Sequence, residues 1–514
     1  MAEPIGRLEE LLGADGADRG WMLRFVYKDQ SSGLARLIDD LNHGPSETGD
    51  GKRIESSFSY WGTGPSFAWE RACTDPAYLV MGQSNKSFRE RWRRLTPELP
   101  KDSTMHYVSL GIGTGEKDAH ILADLAELNQ KLYYFPVDMS GAMLELGVPK
   151  AVEHLRGRKY IVYPIELDFS RKDSLTELRK LIWRCVGDEP ILFSILGNTI
   201  ANFTDDTDIL KNIVQMLRPQ DRLLLEVAYS ETASEDIARI AAGEYRRSQQ
   251  FKVFVTSALL QNTDLPIDVE RVDIFSAVEK EGRAISLKIV YNSIEKGEQI
   301  TLPNRLEVKF PVGDTIRLYL TRKYTKAGIS RLIEETGCRS YKDFYRPFDA
   351  DRHFGMALHL LASRSGSVFV SYSHKDREFV KRLEKELHVH DVYSWIDFND
   401  TDPDTKLIEQ IKQAMRTVDK FLLVFSEESK NREWVRIEVT EAFRKLTSGG
   451  GPKLRVVLLT PADSLRTWGR IDDESGELLG PKLLTFPLVE FTGWRDWSED
   501  DFNTRVAQLA KGLR

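Results

Sequence analysis

The segment Ser109–Asp118, SLGIGTGEKD, places Gly111, Gly113 and Gly115 two apart, after an apolar run and before a helical pattern. Glycines there let backbone amides approach a ligand closely, and the helix N-terminus that follows favours electron-rich groups. The next apolar run ends in Asp138, where a carboxylate can take both hydroxyls of a ribose. The run after it ends in Asp168–Phe169, an acid and an aromatic that can hold an adenine amine and ring. Three such strand ends in succession point to an adenosine-containing ligand; the blander reading is a tight glycine turn. Far along the chain, SEESKNREWVRIEVTEAF (Ser426–Phe443) follows the apolar run Phe421–Phe425. Val435, Val439 and Ala442 step at helical spacing and make a core-facing stripe. Trp434 and Glu438, four apart, share another side of that helix: an indole and a carboxylate one turn apart, beside the end of a buried strand.

The elements that position these residues alternate. HYVSLGIG, KLYYFPVD, YIVYPIELDF, PILFSILGN and DRLLLEVAY read as strands, and helical patterns separate them, which predicts a parallel, doubly wound sheet. From about Ser257 to Thr321 the pattern turns to alternating strands, an antiparallel insertion. The run Ser363–Ser367 is small and polar and marks a joint near residue 365. Beyond it SVFVSYS, VYSWID, KFLLVFS, LRVVLLT and LLTFPLVEF read as five short strands with helices between them. The expected organisation is a helical segment over 1–55, a large α/β domain over 56–364 and a compact α/β domain over 365–514.

A chain of 514 residues with 41% apolar and 29% charged residues has the composition of an ordinary globular protein. Net charge is −7, so no global basic field draws it to nucleic acid. The one basic cluster, RERWRRL (Arg89–Leu95), reads as a solvated helix face. No apolar run approaches the ~20 residues of a spanning helix, and the acidic start lacks a signal-peptide core, so the expectation is a cytoplasmic protein with no membrane partner. Cys73, Cys185 and Cys338 are widely spaced and no HExxH occurs, so neither a metal site nor a disulfide framework is expected.

YVSLGIGTGEKDAHIL, FPVDMSGAMLELG, LDFS, FSILGNTIANF and LLLEVAYS follow in the order of the histidine-specific, S-adenosylmethionine (SAM)-dependent methyltransferases, which include the ergothioneine-pathway enzyme. The stretch Ser56–Ala362 resembles that family, which implies a Rossmann-like methyltransferase domain with an antiparallel insertion. The resemblance maps Gly111, Gly113, Lys117, Asp138, Asp168 and Phe169 to cofactor positions, Tyr60 and Tyr78 to tyrosines over cofactor and substrate, and Asn202 to the asparagine that helps hold the amino-acid substrate. Two departures stand out. Ser109 replaces the acid before the first glycine, and YLTRKY, with Tyr319, Leu320 and Thr321, stands where the family's substrate-gripping glutamate is expected. A cationic acceptor then lacks its counter-charge, which turns the expectation toward a SAM- or amino-acid-binding sensor.

VFVSYSHKDREFVKRLEKEL, VYSWIDFND and FLLVFSEESKNREWVRIEV resemble a bacterial Toll/interleukin-receptor (TIR) domain over about Ser367–Arg514, which implies a flavodoxin-like five-stranded fold. In catalytic TIR domains the glutamate of the Trp-x-x-x-Glu helix drives cleavage of NAD+ at the nicotinamide–ribose bond; that maps to Glu438. Ser371, Tyr372, Trp395, Asp397, Ser426 and Trp434 border the implied NAD+ site. The leaving nicotinamide is already cationic, so one carboxylate beside an oxocarbenium-like ribose suffices. Three readings stand: an NAD+ hydrolase or cyclase under a sensor domain, self-associating through its TIR domains in anti-phage defence; a working methyltransferase whose TIR domain only recruits partners; and a scaffold with two remnant sites.

Overall fold

The computed structural model describes residues 23–42, 52–99, 104–129, 131–155, 159–187, 189–218, 220–349, 351–363, 368–390, 392, 394–395, 420–430, 453–466, 468–469 and 476–513. The chain divides into two compact units, Met1–Met216 with Asp221–Ala362, and Leu217–Gln220 with Ser363–Arg514.

The first unit is built on one large sheet. Its strands are β1 (Phe25–Val26), β2 (Lys52–Arg53), β3 (His106–Leu110), β4 (Leu132–Asp138), β5 (Tyr160–Val162), β6 (Ile165–Glu166), β7 (Ile191–Ile195), β8 (Arg222–Ser230), β9 (Val272–Val278), β10 (Ala284–Asn292), β13 (Thr315–Thr325), β14 (Cys338–Pro347) and β15 (Phe354–Ser363), with β11 (Glu298–Thr301) and β12 (Glu307–Phe310) as a separate hairpin. The parallel core runs β6–β4–β3–β7–β8. Every residue of β3, β4 and β7 is buried, because helices such as Glu116–Leu128, Gly141–Ala151 and Lys172–Val186 cover the sheet. β15 closes antiparallel on β8, and β13 joins β8 in parallel only at Tyr324–Thr325 while carrying β10 and β9 antiparallel.

Four local expectations change. The run YIVYPIELDF splits into β5 and β6 at Tyr163–Pro164, where proline offers no N–H to a ladder. The insertion's strands begin at Val272, not near Ser257: Ser257 lies in the helix Gln249–Asn262, buried over most of its surface and so without a clear apolar stripe. Arg91 of the basic cluster is fully buried, although Arg89, Arg93 and Arg94 are exposed. Before residue 56 the described chain forms the helix Gly33–Asn42, as expected, but it also adds two short strands to the sheet, β1 beside β6 and β2 beside β13. The joint at 364–367, the stretch 396–419 between the second and third strands of the second unit and the Trp434/Glu438 helix lie outside the described residues.

The second unit carries β16 (Val368–Ser371), β17 (Ser394–Trp395), β18 (Lys420–Phe425), β19 (Lys453–Leu458) and β20 (Leu488–Glu490), all parallel, in the order β17–β16–β18–β19–β20. Alternation along β16 and β18 sends Val368, Val370, Leu422 and Val424 to a core with the helices Arg377–Val389 and Glu499–Leu513, and Phe369, Phe421, Leu423 and Phe425 to the opposite one. Among the described residues no helix is long and apolar enough to cross a membrane, and no cluster of His, Cys, Asp and Glu could hold a metal ion.

Candidate nucleotide site and a second strand-end cluster

A cleft of about 880 Å3, open mouth included, lies at the carboxyl ends of the parallel strands of the first unit. Gly111, Gly113 and Gly115 turn the chain from β3 into the helix Glu116–Leu128 with φ of 82°, 56° and 76°. L-residues with a side chain strain at such angles. A Cβ on Gly115 would overlap the Gly147 carbonyl, so the loop packs directly on the helix Gly141–Ala151. Asp138 ends β4, and its Oδ1 accepts the Ser140 N–H at 3.0 Å. Burial pushes its carboxyl up to about 7, against backbone N–H groups of Ser140, Gly113 and Met139 that pull it down. Phe169 faces the loop, 3.8 Å from where a Gly111 Cβ would stand.

The loop after β7 forms the far wall. Asn198, at φ 66°, donates to Thr321 Oγ1 and the Arg322 carbonyl and accepts from the Ala228 N–H. That ties LGNTIANF to β8 and β13 and sets Asn202 Nδ2 at 3.5 Å from the Tyr60 hydroxyl. The Tyr60 and Tyr319 hydroxyls bond each other at 2.6 Å. Burial first, then each other's proximity, keeps the Tyr60 phenol well above its ordinary pKa, and burial likewise raises Tyr319. Trp69, Phe254 and Phe251 pack around this pair, with ring centroids 4.9 to 6.3 Å apart.

Of the nine residues that the sequence places here, Tyr60, Gly111, Gly113, Lys117, Asp138, Phe169 and Asn202 line the cleft together. Tyr78 and Asp168 do not. Tyr78 is enclosed by Trp69, Tyr245 and Phe251, beneath the wall. Asp168 Oδ2 accepts from Arg36 at 2.7 Å and Oδ1 accepts from the backbone N–H and hydroxyl of Ser170, so its carboxylate serves the N-terminal segment rather than the cleft. Lys117 reaches the wall with its ammonium already held by Glu226 and Ser84, each at 2.6 Å. Arg91 takes the other Glu226 oxygen at 2.5 Å, and both Arg91 and Glu226 are fully buried. Burial alone would raise Glu226; Lys117 and Arg91 reverse this and hold it at about 2.

Sequence reasoning missed Trp69, Asp118 and the Lys117–Glu226–Arg91 triad. Asp118 lines the cleft, bonded to Tyr107 and Tyr134, and burial raises it to about 6. An acid in the first turn of a helix reads only as a dipole partner, and Glu226 lies more than 100 positions from both of its cationic partners.

In the second unit Ser371 ends β16, Tyr372 and Ser373 follow it, and Ser426 follows β18, all at carboxyl ends of neighbouring strands. Trp395 closes β17. Asp397, Trp434 and Glu438 lie outside the described residues. Ser426 Oγ donates to Asp376 at 2.6 Å, a residue that the sequence reading passed over.

A glycine turn after β3, an acid at the end of β4 and a doubly wound sheet define a Rossmann-like methyltransferase fold. The chain belongs to the family of histidine-specific, SAM-dependent methyltransferases, whose model matches residues 35–360. Residues 368–484 match the TIR domain. The solved structures similar to this chain include a SAM-dependent methyltransferase of Leishmania major, at 14% identity and TM-score 0.28, over 62% of this chain and 95% of that one. Another is magnesium protoporphyrin IX methyltransferase of Synechocystis PCC 6803 with bound SAH, at 12% and 0.30, over 59% and 97%. At such TM-scores the likeness carries no argument about this chain. A comparison with curated proteins found no match.

Proposed function

We propose that the chain is a TIR-type NAD+ nucleosidase controlled by a methyltransferase-like unit that binds SAM or an amino acid and has given up histidine methylation. The observation that carries the sensor half is the uncharged Tyr60–Tyr319 pair, whose Tyr60 lines the cleft. Tyr319 stands where the family resemblance sets a carboxylate, and its hydroxyl is spent on Tyr60 at 2.6 Å. An ammonium or imidazolium there would be stripped of water with no counter-charge. The cofactor side keeps most of its expected residues, which supports the reading: Asp138 for a ribose diol, the Gly111 and Gly113 turn for close approach and Phe169 for an adenine face all line the cleft, while Asp168 is held by Arg36. SAM would supply a sulfonium methyl group there, and the Tyr60–Tyr319 pair offers a cationic acceptor no counter-charge.

The catalytic half rests on the TIR match and on Glu438. The C1′–nitrogen bond of NAD+ breaks, its electron pair leaves with neutral nicotinamide, and the Glu438 carboxylate stabilises the ribosyl cation. Water adds to C1′ and loses a proton to give ADP-ribose; an internal nucleophile instead gives a cyclic product. Self-association through TIR domains is the proposed trigger, and NAD+ depletion or signalling in cytoplasmic anti-phage defence the proposed role. The competing reading, a working N-methyltransferase with a recruiting TIR domain, draws on the same cofactor-side residues. One experiment separates them: purified protein is incubated with NAD+, with and without SAM and histidine, and products are read by mass spectrometry. Nicotinamide release that Glu438→Ala abolishes supports the first; methylhistidine without NAD+ loss overturns it.

A further inference from the structure

The strand order of the second unit puts its topological switch between β16 and β18, because β17 lies on one side of β16 and β18 to β20 on the other. Ligands of open parallel sheets sit outside the carboxyl ends at such a point. There the chain makes a compact polar cluster. After β16, the Ser373 carbonyl accepts the Asp376 N–H at 2.7 Å and starts the turn His374–Asp376. After β18, Ser426 Oγ donates to Asp376 Oδ2 at 2.6 Å, and Ser429 Oγ accepts the Ser426 N–H at 2.8 Å. Asp376 therefore bridges the two strand ends that flank the switch.

Two polar groups in this cluster lack partners among the described residues. Asp376 Oδ1 accepts no hydrogen bond, and neither Asp376 oxygen has a cation within ion-pair distance: Lys375 pairs with Glu428 and Arg495 with Glu378. Ser373 Oγ, in a residue 1% exposed, has no hydrogen-bond partner. A strand tie alone would be served by any acceptor. A half-buried carboxylate with lone pairs to spare, beside a buried hydroxyl with its proton uncommitted, instead suits a vicinal diol.

We propose that Asp376, with Ser373 beside it, binds the ribose hydroxyls of a nucleotide at this switch point; as a subsite for NAD+ the assignment rests on the NAD+ reading above. Asp376 touches substrate, and Ser426 is a positioning residue that holds its Oδ2. The test uses the full chain, measuring NAD+ turnover and, as a non-reacting probe, ADP-ribose binding by calorimetry. Asp376→Asn keeps an oxygen for Ser426 but loses the charge, and is expected to raise the KM for NAD+ and the Kd for ADP-ribose at least tenfold, with kcat changed less. Ser373→Ala, a smaller change that keeps the turn, is expected to raise both severalfold, and decides the matter if Asp376→Asn fails to fold. Unchanged KM and Kd in the folded variants overturn the subsite while leaving the NAD+ reading standing. An unmodified protein that neither consumes NAD+ nor binds ADP-ribose overturns both, and one that binds ADP-ribose without consuming NAD+ leaves the Kd comparison to decide the subsite.

Discussion

Asp138 gives the sharpest test of the first unit. Its carboxyl sits at about 7 in the ligand-free protein, since burial penalises the charge more than three backbone N–H groups relieve it. A ribose diol donates hydrogen bonds and favours the carboxylate, so nucleotide binding should expel the proton. If only the ionised form binds, the apparent Kd carries a factor of one plus the protonated-to-ionised ratio. That factor is about 11 at pH 6, about 2 at pH 7 and about 1.1 at pH 8. Affinity for S-adenosylhomocysteine should therefore tighten about tenfold from pH 6 to pH 8, about 1.4 kcal/mol. Calorimetry in two buffers of different ionisation enthalpy should show about half a proton released per ligand at pH 7. Asp138→Asn should abolish the slope and weaken binding at pH 8 by about ten- to a hundredfold, as for a lost charged hydrogen bond. The variant also separates this effect from Asp118 in the same wall, which titrates near 6. A flat profile, or a slope that survives in Asp138→Asn, refutes the reasoning.

The same shift bears on stability with a fixed sign. A carboxyl raised from 3.8 to about 7 favours the protonated fold, so ligand-free protein should lose on the order of a few kcal/mol between pH 4 and pH 7, a loss that Asp138→Asn removes. Glu226 runs the other way: held at about 2, it contributes stability above pH 4.5 that fades as pH falls toward 2. Glu226→Ala leaves Arg91 and Lys117 buried without a counter-charge and should cost about 3–5 kcal/mol in denaturant unfolding; a loss under 1 kcal/mol would contradict the triad. Gly115→Ala meets both a φ of 76° and the Gly147 carbonyl, and should lower stability by about 1–3 kcal/mol and loosen the nucleotide site, read by thermal shift with and without S-adenosylhomocysteine. Histidine titrated into ligand-saturated protein should give no binding heat; micromolar affinity would refute the uncharged far wall.

Much of this protein is written in local pattern. Alternating strand and helix periods determine two α/β units, and the glycines before a helix, with Asp138 one strand later, mark the nucleotide edge of the first. Those signals are legible because each lies within one element and its own turn. Tertiary structure alone decided the rest. It set Asp168 against Arg36, outside the cleft lining, and paired Lys117 with Glu226. It buried Arg91 from a cluster that looks solvated, and set Tyr319 against Tyr60 across 259 positions. Asp376 gained meaning only when β16 and β18 became neighbours. A side chain's type says which bonds it can make; which it makes depends on partners that a one-dimensional pattern does not place.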